Sequence, residues 1–492
     1  MIDLKNRIQT LINASGISAP WSEILSIVDG VNASALALNN PSWLNMFNVV
    51  LGEQLEVDLM ELRARRYEEI SSKKLEENAK IKLDKLRRNL KKMKVDGIIL
   101  PRADEHQGEY LPSSAERLRW LTGFDGSAGF VVVLKNVAAV FTDGRYMLQI
   151  GWQVDQEHFE IHHIGKKSPS QWLEELMVKG DRIGFDPWLH TAESLSMFEE
   201  VVRSRNGELV SLDENPIDKL WKSRPPSPLA PIVSHELIYA GQTSVEKRKI
   251  VCQALKKKNE DALILSSPES IAWLLNVRGA DVPRTPLALS FAILEQDEKV
   301  SLFIDHRKIT SKIKTQLGNA VSIFSPNELG ERIDVLVNQG KKIRVDPKSS
   351  PVWLEKRVNS AGGNVSYGED PVTAPKSIKN AIELDGTRKA HIRDGVAFTK
   401  FLHWFHENAS MEQLTEMSVA NQLRNFRSEG LLFKDLSFDT ISGSGPNGAI
   451  VHYRVNAETD RTIKKDELYL VDSGAQYLDG TTDITRTIAI GN

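Results

Sequence analysis

The 492-residue sequence has little of several features that would place a protein in a class at once. It contains a single cysteine, Cys252, which excludes a disulfide scaffold and a cysteine-based zinc site and suits a reducing compartment. No apolar run approaches the roughly 20 residues that span a bilayer, and the first residues lack the apolar core of a signal peptide. The formal net charge of -3 gives no general attraction to nucleic acid or to an anionic membrane. A cytoplasmic protein that binds neither nucleic acid nor membrane is therefore expected.

The beginning of the sequence has helical periodicity but no chemical motif. The segments LKNRIQTLI and LEVDLMELRARRYEEI have apolar residues three and four positions apart, which predicts amphipathic helices. Residues 1–72 are therefore expected to form a helical extension of unknown role. Residues 73–94 continue the helical pattern and are rich in lysine and arginine. Because no aromatic residues for base stacking accompany these charges, a solvated surface helix is favoured over a nucleic-acid site.

The middle of the sequence repeats itself at a separation of about 160 residues. The buried-strand pattern DGIILPRAD is matched by KKKNEDALILSSPES, and RLRWLTGFDG, AVFTDGRY and RIGFDPW have counterparts in the same order. The aligned residues are Asp96 with Asp261, Trp120 with Trp273, Asp143 with Asp305 and Asp186 with Asp346. Two copies of one α/β domain are therefore predicted at residues 78–222 and 236–372. The segment WKSRPPSPLAP between them predicts a stiff linker, since proline fixes φ.

The pattern changes again at about residue 376, which begins a third domain. Two amphipathic segments, AIELDGTRKAHIRDGVAFTKFLHWFHENA and MEQLTEMSVANQLRNFRSEG, predict helices, and Gly430 marks the end of the second. The runs LSFDTISGSG, IVHYRV, ELYLVDSG and DITRTIAIG then predict strands. Residues 376–492 are expected to have helices first and a mainly antiparallel sheet afterwards.

Two aspartates stand near a predicted hairpin. Asp472 ends the apolar run ELYLV, and Asp483 precedes the β-prone run ITRTIAI. A chain reversal at Tyr477–Leu478 would place the two aspartates opposite each other with Cβ atoms about 5 Å apart, whereas a reversal at Asp479–Gly480 would shift the pairing. Adjacent carboxylates require a shared proton or a cation, and oxygen ligands suit manganese, magnesium or calcium. From the spacing alone, turn and capping roles stay open as the alternative.

A histidine, His452, lies in the predicted strand of GPNGAIVHYRV. A strand histidine is usually structural or exposed, so its position alone gives it no chemical role. The preceding glycine-rich SGSGPNGA lacks the Gly-Lys-Ser/Thr ending of a phosphate-binding loop and does not open a helix. A nucleotide site is therefore not predicted there.

Together these segments resemble a known family. SFDTISGSGPNGAIVHYRV and LVDSGAQYLDGTTDITRT closely resemble the X-Pro aminopeptidases, also called aminopeptidase P, of the creatinase/methionine aminopeptidase fold. HQGEYLPSSAERLRWLTGFDGSAG, FTDGRYMLQ and AWLLNVRGADVPRTPLALSFAIL resemble the first two domains of its three-domain cytosolic type. The implied fold class is α/β and α+β, with two repeated creatinase-N-type α/β domains followed by the first part of a "pita-bread" metallopeptidase domain.

The resemblance implies roles for four residues. Asp472 matches the aspartate that binds one metal ion, and Asp483 matches the aspartate that bridges both. His452 matches the catalytic histidine near the scissile bond, where it steadies the substrate or the transition state. Arg145 matches an arginine that lines the entrance to the site. The implied cofactors are two divalent metal ions, manganese in this family.

The resemblance also implies a reaction and an assembly. Metal-activated hydroxide removes the N-terminal residue from peptides with proline in position two, and the enzyme is a homodimer. An alternative is a non-catalytic pita-bread module that binds a peptide or protein, but such a binder has no need of the retained aspartates and histidine. A prolidase-like dipeptidase is a third possibility, against which GPNGAIVHYR and the three-domain layout argue.

The sequence departs from the family pattern in two respects. No family segment matches residues 1–72. The family also requires a further histidine and two glutamates after DITRT, and the sequence ends at Asn492 before any of them. The expectation is therefore a C-terminally truncated chain that is inactive by itself.

Overall fold

The structure, a computed structural model, describes residues 2–72 and 77–491. The chain divides into two units. The N-terminal unit contains Met1–Asp143, Gln149–Ser234 and Ser244–Lys376, and the C-terminal unit contains Gly144–Leu148, His235–Thr243 and Ser377–Asn492. The C-terminal unit therefore includes two short segments from earlier in the sequence. Within the described ranges, no helix combines the length and the hydropathy that a bilayer crossing requires.

The N-terminal unit begins with a helical bundle that has its own hydrophobic core. Its helices are α1 (Ile2–Ala14), α2 (Trp21–Asn32) and α3 (Glu53–Ser72), with a 3-10 helix at Pro41–Phe47. The predicted helices coincide with α1 and α3, whereas α2 was not predicted. The buried guanidinium of Arg63 donates to four carbonyl oxygens between α2 and the 3-10 helix, at 2.8 to 3.3 Å. In α2, Gly30 gives room to Leu229, whose Cβ lies 2.6 Å from where a Gly30 Cβ would stand.

The first α/β domain follows the bundle. Its elements are α4 (Ala79–Lys92), β1 (Gly97–Pro101), α5 (Arg117–Thr122), β2 (Phe130–Leu134), β3 (Ala138–Thr142), α6 (Met147–Gln153), β4 (Glu160–His163), α7 (Pro169–Leu176), β5 (Arg182–Phe185), α8 (Ala192–Ser204), β6 (Glu208–Ser211) and α9 (Pro216–Leu220). The basic helix predicted at residues 73–94 corresponds to α4, and residues 73–76 lie outside the described residues.

The second α/β domain is built in the same way. Its elements are β7 (Val233–Ser234), α11 (Ser244–Lys257), β8 (Ala262–Leu265), α12 (Pro268–Leu275), β9 (Val277–Arg278), β10 (Phe291–Glu295), β11 (Val300–Phe303), α13 (Ser311–Leu317), β12 (Val321–Phe324), α14 (Leu329–Asn338), β13 (Ile343–Val345), α15 (Val352–Ser360), β14 (Val365–Tyr367) and α16 (Thr373–Ser377). The short helix α10 (Leu237–Ala240), between β7 and α11 in the sequence, belongs to the C-terminal unit.

The two α/β domains have the same sheet topology, which confirms the predicted repeat. The strand orders are β4-β3-β2-β1-β5-β6 and β12-β11-β10-β8-β13-β14. In both sheets the three central strands that correspond to β1, β2 and β3 pair antiparallel, and the outer pairings are parallel.

In each of the two α/β domains a buried lysine contacts the aligned tryptophan. Lys82 Nζ donates to the carbonyl oxygen of Trp120 at 2.6 Å and lies 5.2 Å from the centre of its ring. Lys247 Nζ makes the same contacts with Trp273, at 3.2 and 4.5 Å. The tryptophans that were aligned in the sequence therefore occupy equivalent positions.

The C-terminal unit has two long helices and then strands, as predicted. Its elements are α17 (Ala381–Ala409), α18 (Glu416–Ser428), β15 (Phe433–Leu436), β16 (Ile441–Ser444), β17 (Leu468–Ser473), β18 (Ala475–Tyr477), β19 (Gly480–Thr481) and β20 (Ile484–Ala489). The strands form two three-stranded antiparallel sheets, β15-β18-β19 and β16-β17-β20. Phenylalanines of α17 pack against α18 and β17 to form the core of this unit.

The prediction of a strand at IVHYRV is wrong. Gly445–Ala449 forms a 3-10 helix, and residues 451 and 452 form a turn. His452 has a φ of 55°, in the left-handed region that a strand does not use. Side-chain hydrogen bonds hold this segment in place of a strand ladder.

Candidate active site

Asp472 lies on β17 and Asp483 lies just before β20, on the two sides of one hairpin, but they are not directly opposite each other. The strand register pairs Asp472 with Thr485 and Tyr477 with Gly480. The hairpin therefore turns at residues 478–479, between the two positions that the sequence offered, and Asp483 is the diagonal neighbour of Asp472. Diagonal side chains point to the same face of a sheet, at about 7–8 Å between backbones, within reach of one another's ends.

A glycine brings the two strands together just after Asp472. A Cβ added at Gly474 would stand 2.0 Å from the carbonyl oxygen of Thr482 and 2.2 Å from Ser437 Oγ. The Ser437 hydroxyl donates to that same carbonyl oxygen at 2.9 Å. Any larger residue at position 474 would push Asp472 away from Asp483.

A buried ion pair between Arg427 and Asp394 contacts this hairpin. Arg427 is completely buried and donates to both carboxylate oxygens of Asp394, at 2.8 and 3.0 Å. The Tyr477 hydroxyl donates to the same carboxylate at 3.0 Å, and Arg427 Nη1 reaches the Gly474 carbonyl oxygen at 3.4 Å. Fully satisfied buried networks of this kind fix a single arrangement of the strands around them.

The two carboxylates repel each other. Partial desolvation and the neighbouring Asp472 carboxylate raise the pKa of Asp483, although its side chain is exposed. The Thr485 hydroxyl donates to Asp472 Oδ1 at 2.7 Å. Two like charges at one place are stabilised by a cation, and carboxylate oxygens are ligands that hard divalent cations accept. The local charge therefore fits a divalent metal.

His452 and Arg145 meet through a residue that the sequence did not single out, Tyr146. The buried Tyr146 hydroxyl and His452 Nδ1 share a hydrogen bond of 2.9 Å, and their rings meet edge to face with centroids 5.7 Å apart. The Arg145 guanidinium lies 5.1 Å from the centre of the Tyr146 ring. The sequence contains no separate signal for Tyr146. It is the last residue of AVFTDGRY, and the aligned position of the second copy is Lys308.

A buried glutamate, Glu416, holds the segment that carries His452. Its carboxylate accepts hydrogen bonds from Ser444 N at 2.6 Å, from Asn447 Nδ2 at 3.1 Å and from the Tyr453 hydroxyl at 2.9 Å. Burial raises the pKa of Glu416. The sequence reasoning missed Glu416, because a glutamate in the first turn of a helix looks like a solvated one.

Another group of possible metal ligands lies in the first α/β domain. Asp155, Glu157 and His158 bring their ligand atoms within 4.8 Å of one another, and theirs is the only such triplet in residues 2–72 and 77–491. Asp472 and Asp483 are therefore not joined by a third candidate ligand among the described residues.

Family models match three consecutive parts of the chain. The Creatinase/Prolidase N-terminal domain is matched twice, at residues 82–220 and 223–383. Metallopeptidase family M24 is matched at residues 385–492. The first two matches are related domains, in agreement with the common topology of the two sheets.

Curated relatives extend over most of the chain. It is 36% identical over 430 residues to Aminopeptidase P2 of Arabidopsis thaliana, covering 80% of this chain and 60% of the relative. It is 35% identical over 427 residues to the Probable Xaa-Pro aminopeptidase P of Paracoccidioides brasiliensis strain Pb03, covering 83% of this chain and 69% of the relative. The chain thus spans less than two thirds of the length of the plant relative.

A solved structure has the same fold. The X-prolyl aminopeptidase of Caenorhabditis elegans, described as a cytosolic enzyme with a di-nuclear active site, superposes with a TM-score of 0.80 at 30% identity. The match covers 84% of this chain and 70% of the nematode protein.

Proposed function

The chain belongs to the Xaa-Pro aminopeptidase P family of metallopeptidases, and we propose that the protein removes the N-terminal residue from peptides with proline in position two. The observation that carries this proposal is the pair formed by Asp472, on β17, and Asp483, just before β20, in the region that matches family M24. The prediction of a metallopeptidase of this family is confirmed by the comparisons. The substrate and the roles of individual residues are our proposals.

Asp472 and Asp483 are the residues that would hold metal in the described part of the site. Carboxylate oxygens suit manganese, and the di-nuclear site of the nematode enzyme supports two divalent ions here. Such ions, when bound, polarise a carbonyl group and lower the pKa of a water molecule. Gly474 contributes by keeping the two carboxylates close, and Arg427 contributes by fixing the strands.

His452 is proposed to contact the substrate near the scissile bond. The hydrogen bond between the Tyr146 hydroxyl and His452 Nδ1 orients the imidazole, and Nε2 is the ring nitrogen proposed to contact a substrate oxygen or nitrogen. Tyr146 is thus a positioning residue, because it acts through the imidazole. Arg145, which lies against the Tyr146 ring, is proposed to line the entrance.

A non-catalytic peptide-binding module is the second candidate. The observation in its favour is that, among the described residues, Asp472 and Asp483 do not belong to a group of three candidate metal ligands. The repulsion between Asp472 and Asp483 argues against it, since a binding module gains nothing from a destabilising pair of charges.

The activity is tested on the protein purified from its own cells. We expect release of the first residue from a peptide with proline in position two, stimulated by manganese, and no release from the matched peptide with alanine there. Retention of the proline peptide without cleavage would favour the binding module. The polypeptide of residues 1–492 is assayed in the same way.

Metal binding is tested on that same polypeptide. Calorimetric titration with Mn²⁺ is expected to give weak binding that disappears in Asp472→Asn and in Asp483→Asn. Glu458→Gln, which removes an exposed carboxylate of the same unit, is the matched control and should bind as the parent does. Binding that survives both aspartate substitutions would remove the metal role from this hairpin.

We further propose a cytoplasmic homodimer. The proposal is supported by the family resemblance and by the description of the nematode enzyme as cytosolic. Sedimentation velocity at micromolar concentration should give the mass of two chains, and cell fractionation should recover the protein with cytosolic markers. A monomer in the centrifuge would contradict the first part.

A further inference from the structure

A basic cavity lies between α4 and α9 of the first α/β domain. The two helices pack together, and Asn89 Nδ2 on α4 donates to the carbonyl oxygen of Pro216 on α9 at 3.4 Å. The cavity has a volume of about 720 Å³. Its cationic lining residues, here called the basic cluster, are Lys85, Arg88, Lys91, Lys92, Lys219 and Lys222.

Most of the basic cluster has no counter-charge. Lys85 pairs with Glu77, and Lys219 pairs with Glu214. No carboxylate in residues 2–72 or 77–491 forms an ion pair with any of the remaining four, which are Arg88, Lys91, Lys92 and Lys222. An excess of positive charge therefore remains around one concave site, on a protein whose formal net charge is -3.

Helix stability explains only part of this arrangement. Lys91 and Lys92 lie in the last turn of α4, where a cation interacts favourably with the helix dipole. However, like charges three or four positions apart destabilise a helix, and Arg88 and Lys92 have that spacing. Lys222 comes from beyond α9, far from α4 in the sequence, yet it lines the same cavity. A solvated helix face does not require cations from a second element to converge.

The chemistry of the cavity selects the class of ligand. Lysine and arginine are the residues that bind phosphate groups, and several of them together match several phosphates. No aromatic side chain is among the lining residues, which disfavours stacking of nucleic-acid bases. We propose that the basic cluster binds an anion with several closely spaced phosphate groups, free in solution or as the headgroup of a lipid.

The proposal is tested by titrating the polypeptide of residues 1–492 with inositol hexakisphosphate. The affinity of the double variant Lys92→Gln/Lys222→Gln should fall about tenfold or more, because two charge-assisted contacts are lost. The matched control is Lys312→Gln/Lys314→Gln, which removes two exposed lysines of α13 and should change the affinity less than about twofold. Lys92→Arg/Lys222→Arg should retain binding, and added salt should weaken it.

Two further measurements identify the source of the phosphates. Cosedimentation with phosphatidylcholine vesicles that contain a phosphoinositide, lost in the Lys92→Gln/Lys222→Gln variant, would assign a lipid headgroup. Binding of the soluble compound without cosedimentation would assign a free polyphosphate. An equal loss in the control variant would overturn the proposal, and so would tighter, cluster-dependent binding of single-stranded RNA. Absence of binding at low salt would overturn it as well.

Discussion

The same loop has different uses in the two α/β domains. After β3, residues Arg145 and Tyr146 belong to the C-terminal unit, where Tyr146 bonds to His452. After β11, the aligned Arg307 and Lys308 stay within the N-terminal unit. There Arg307 Nη1 donates to Ser26 Oγ of the helical bundle at 3.0 Å, and Lys308 Nζ forms a buried ion pair with an aspartate.

This difference separates what the repeated fold requires from what one copy adds. Both copies keep contacts that fix the sheet, such as Asp96 Oδ2 accepting from Arg182 N and Asp261 Oδ2 accepting from Lys342 N, each at 2.8 Å. The side chains of the loops after β3 and β11 do not make such shared contacts with the sheet. One copy therefore uses the loop for its own stability, whereas the other uses it to position a histidine.

The largest expected effect concerns the loop that serves stability. Lys308 pairs at 2.6 Å with Asp281, which is fully buried and also accepts from two backbone N–H groups. Lys308→Met leaves a buried carboxylate without its cation and should cost about 3–5 kcal/mol of local unfolding free energy. Hydrogen exchange of β8, β10 and β11 measures this cost. The exposed Lys314→Met is the control and should cost less than about 1 kcal/mol. A loss that small in Lys308→Met would contradict the proposed role of this loop in stability.

A second difference lies three residues before each aligned tryptophan. The buried Arg117 pairs with Asp218 and Glu105 at 2.8 and 2.9 Å, whereas Ser270 Oγ donates to Asp370 at 2.5 Å. Arg117→Met should destabilise the first domain by about 2–3 kcal/mol, since both carboxylates keep some solvent. Ser270→Ala should cost the second domain about 1 kcal/mol. Exchange rates in the two sheets report both values, and equal losses would contradict the distinction.

Acid should also act on the two domains unequally. Burial lowers the pKa of His190 to about 4, while the corresponding residue of the second domain is Ser350. The folded state keeps the imidazole neutral. The stability that the domain gains from the neutral imidazole is therefore fully present above the ordinary histidine pKa near 6.5, and it is lost as the pH falls towards 4. The loss at pH 5 should be about 2 kcal/mol.

Exchange of the first sheet at pH 7.5 and pH 5 measures this loss. His190→Ser should remove the pH dependence, whatever it does to stability at neutral pH. His403→Ser, on an exposed position of α17, should leave the dependence as it is. A pH response that is equal in both sheets would show that His190 is not its source.

The smallest expected change in stability concerns the loop that serves the site. Tyr146→Phe removes one hydrogen bond and should cost about 1 kcal/mol. Nitrogen NMR of His452 should nevertheless change, because Nδ1 loses its partner, and in the active protein kcat should fall more than KM rises. The exposed Tyr367→Phe should leave the His452 spectrum unaltered. An unaltered spectrum in Tyr146→Phe itself would mean that the tyrosine does not orient the ring.

Much of the fold could be predicted because its patterns are long and local. The helices at α17 and α18 and the strands at β1, β17 and β20 follow from apolar periodicity. The repeat could be predicted because aspartates and tryptophans that make the same contacts with the backbone recur in the same order. The helix α2 was missed, since Gly30 reduces its helical propensity and only its contact with Leu229 explains the glycine.

The candidate site could be predicted only in part. Asp472 and Asp483 were found from their places at strand ends. The pairing register of the two strands was not predicted, because a hairpin turn can shift by one residue without changing the alternation of the sequence pattern. Tyr146 and Glu416 were missed because their importance depends on contacts with residues far away in the chain. The turn at His452 was missed because Val451 and Tyr453 resemble strand residues.

The C-terminal unit is not encoded by one stretch of the gene. Tyr146 and His452 are 306 positions apart in the sequence, and the Asn380 side chain that caps α17 donates to the carbonyl oxygen of Ala240 at 2.8 Å. A gene segment that begins at Ser377 would therefore encode most of this unit without the partners of His452 and Asn380. Recombination between relatives can exchange this unit intact only when the earlier segments are inherited with it.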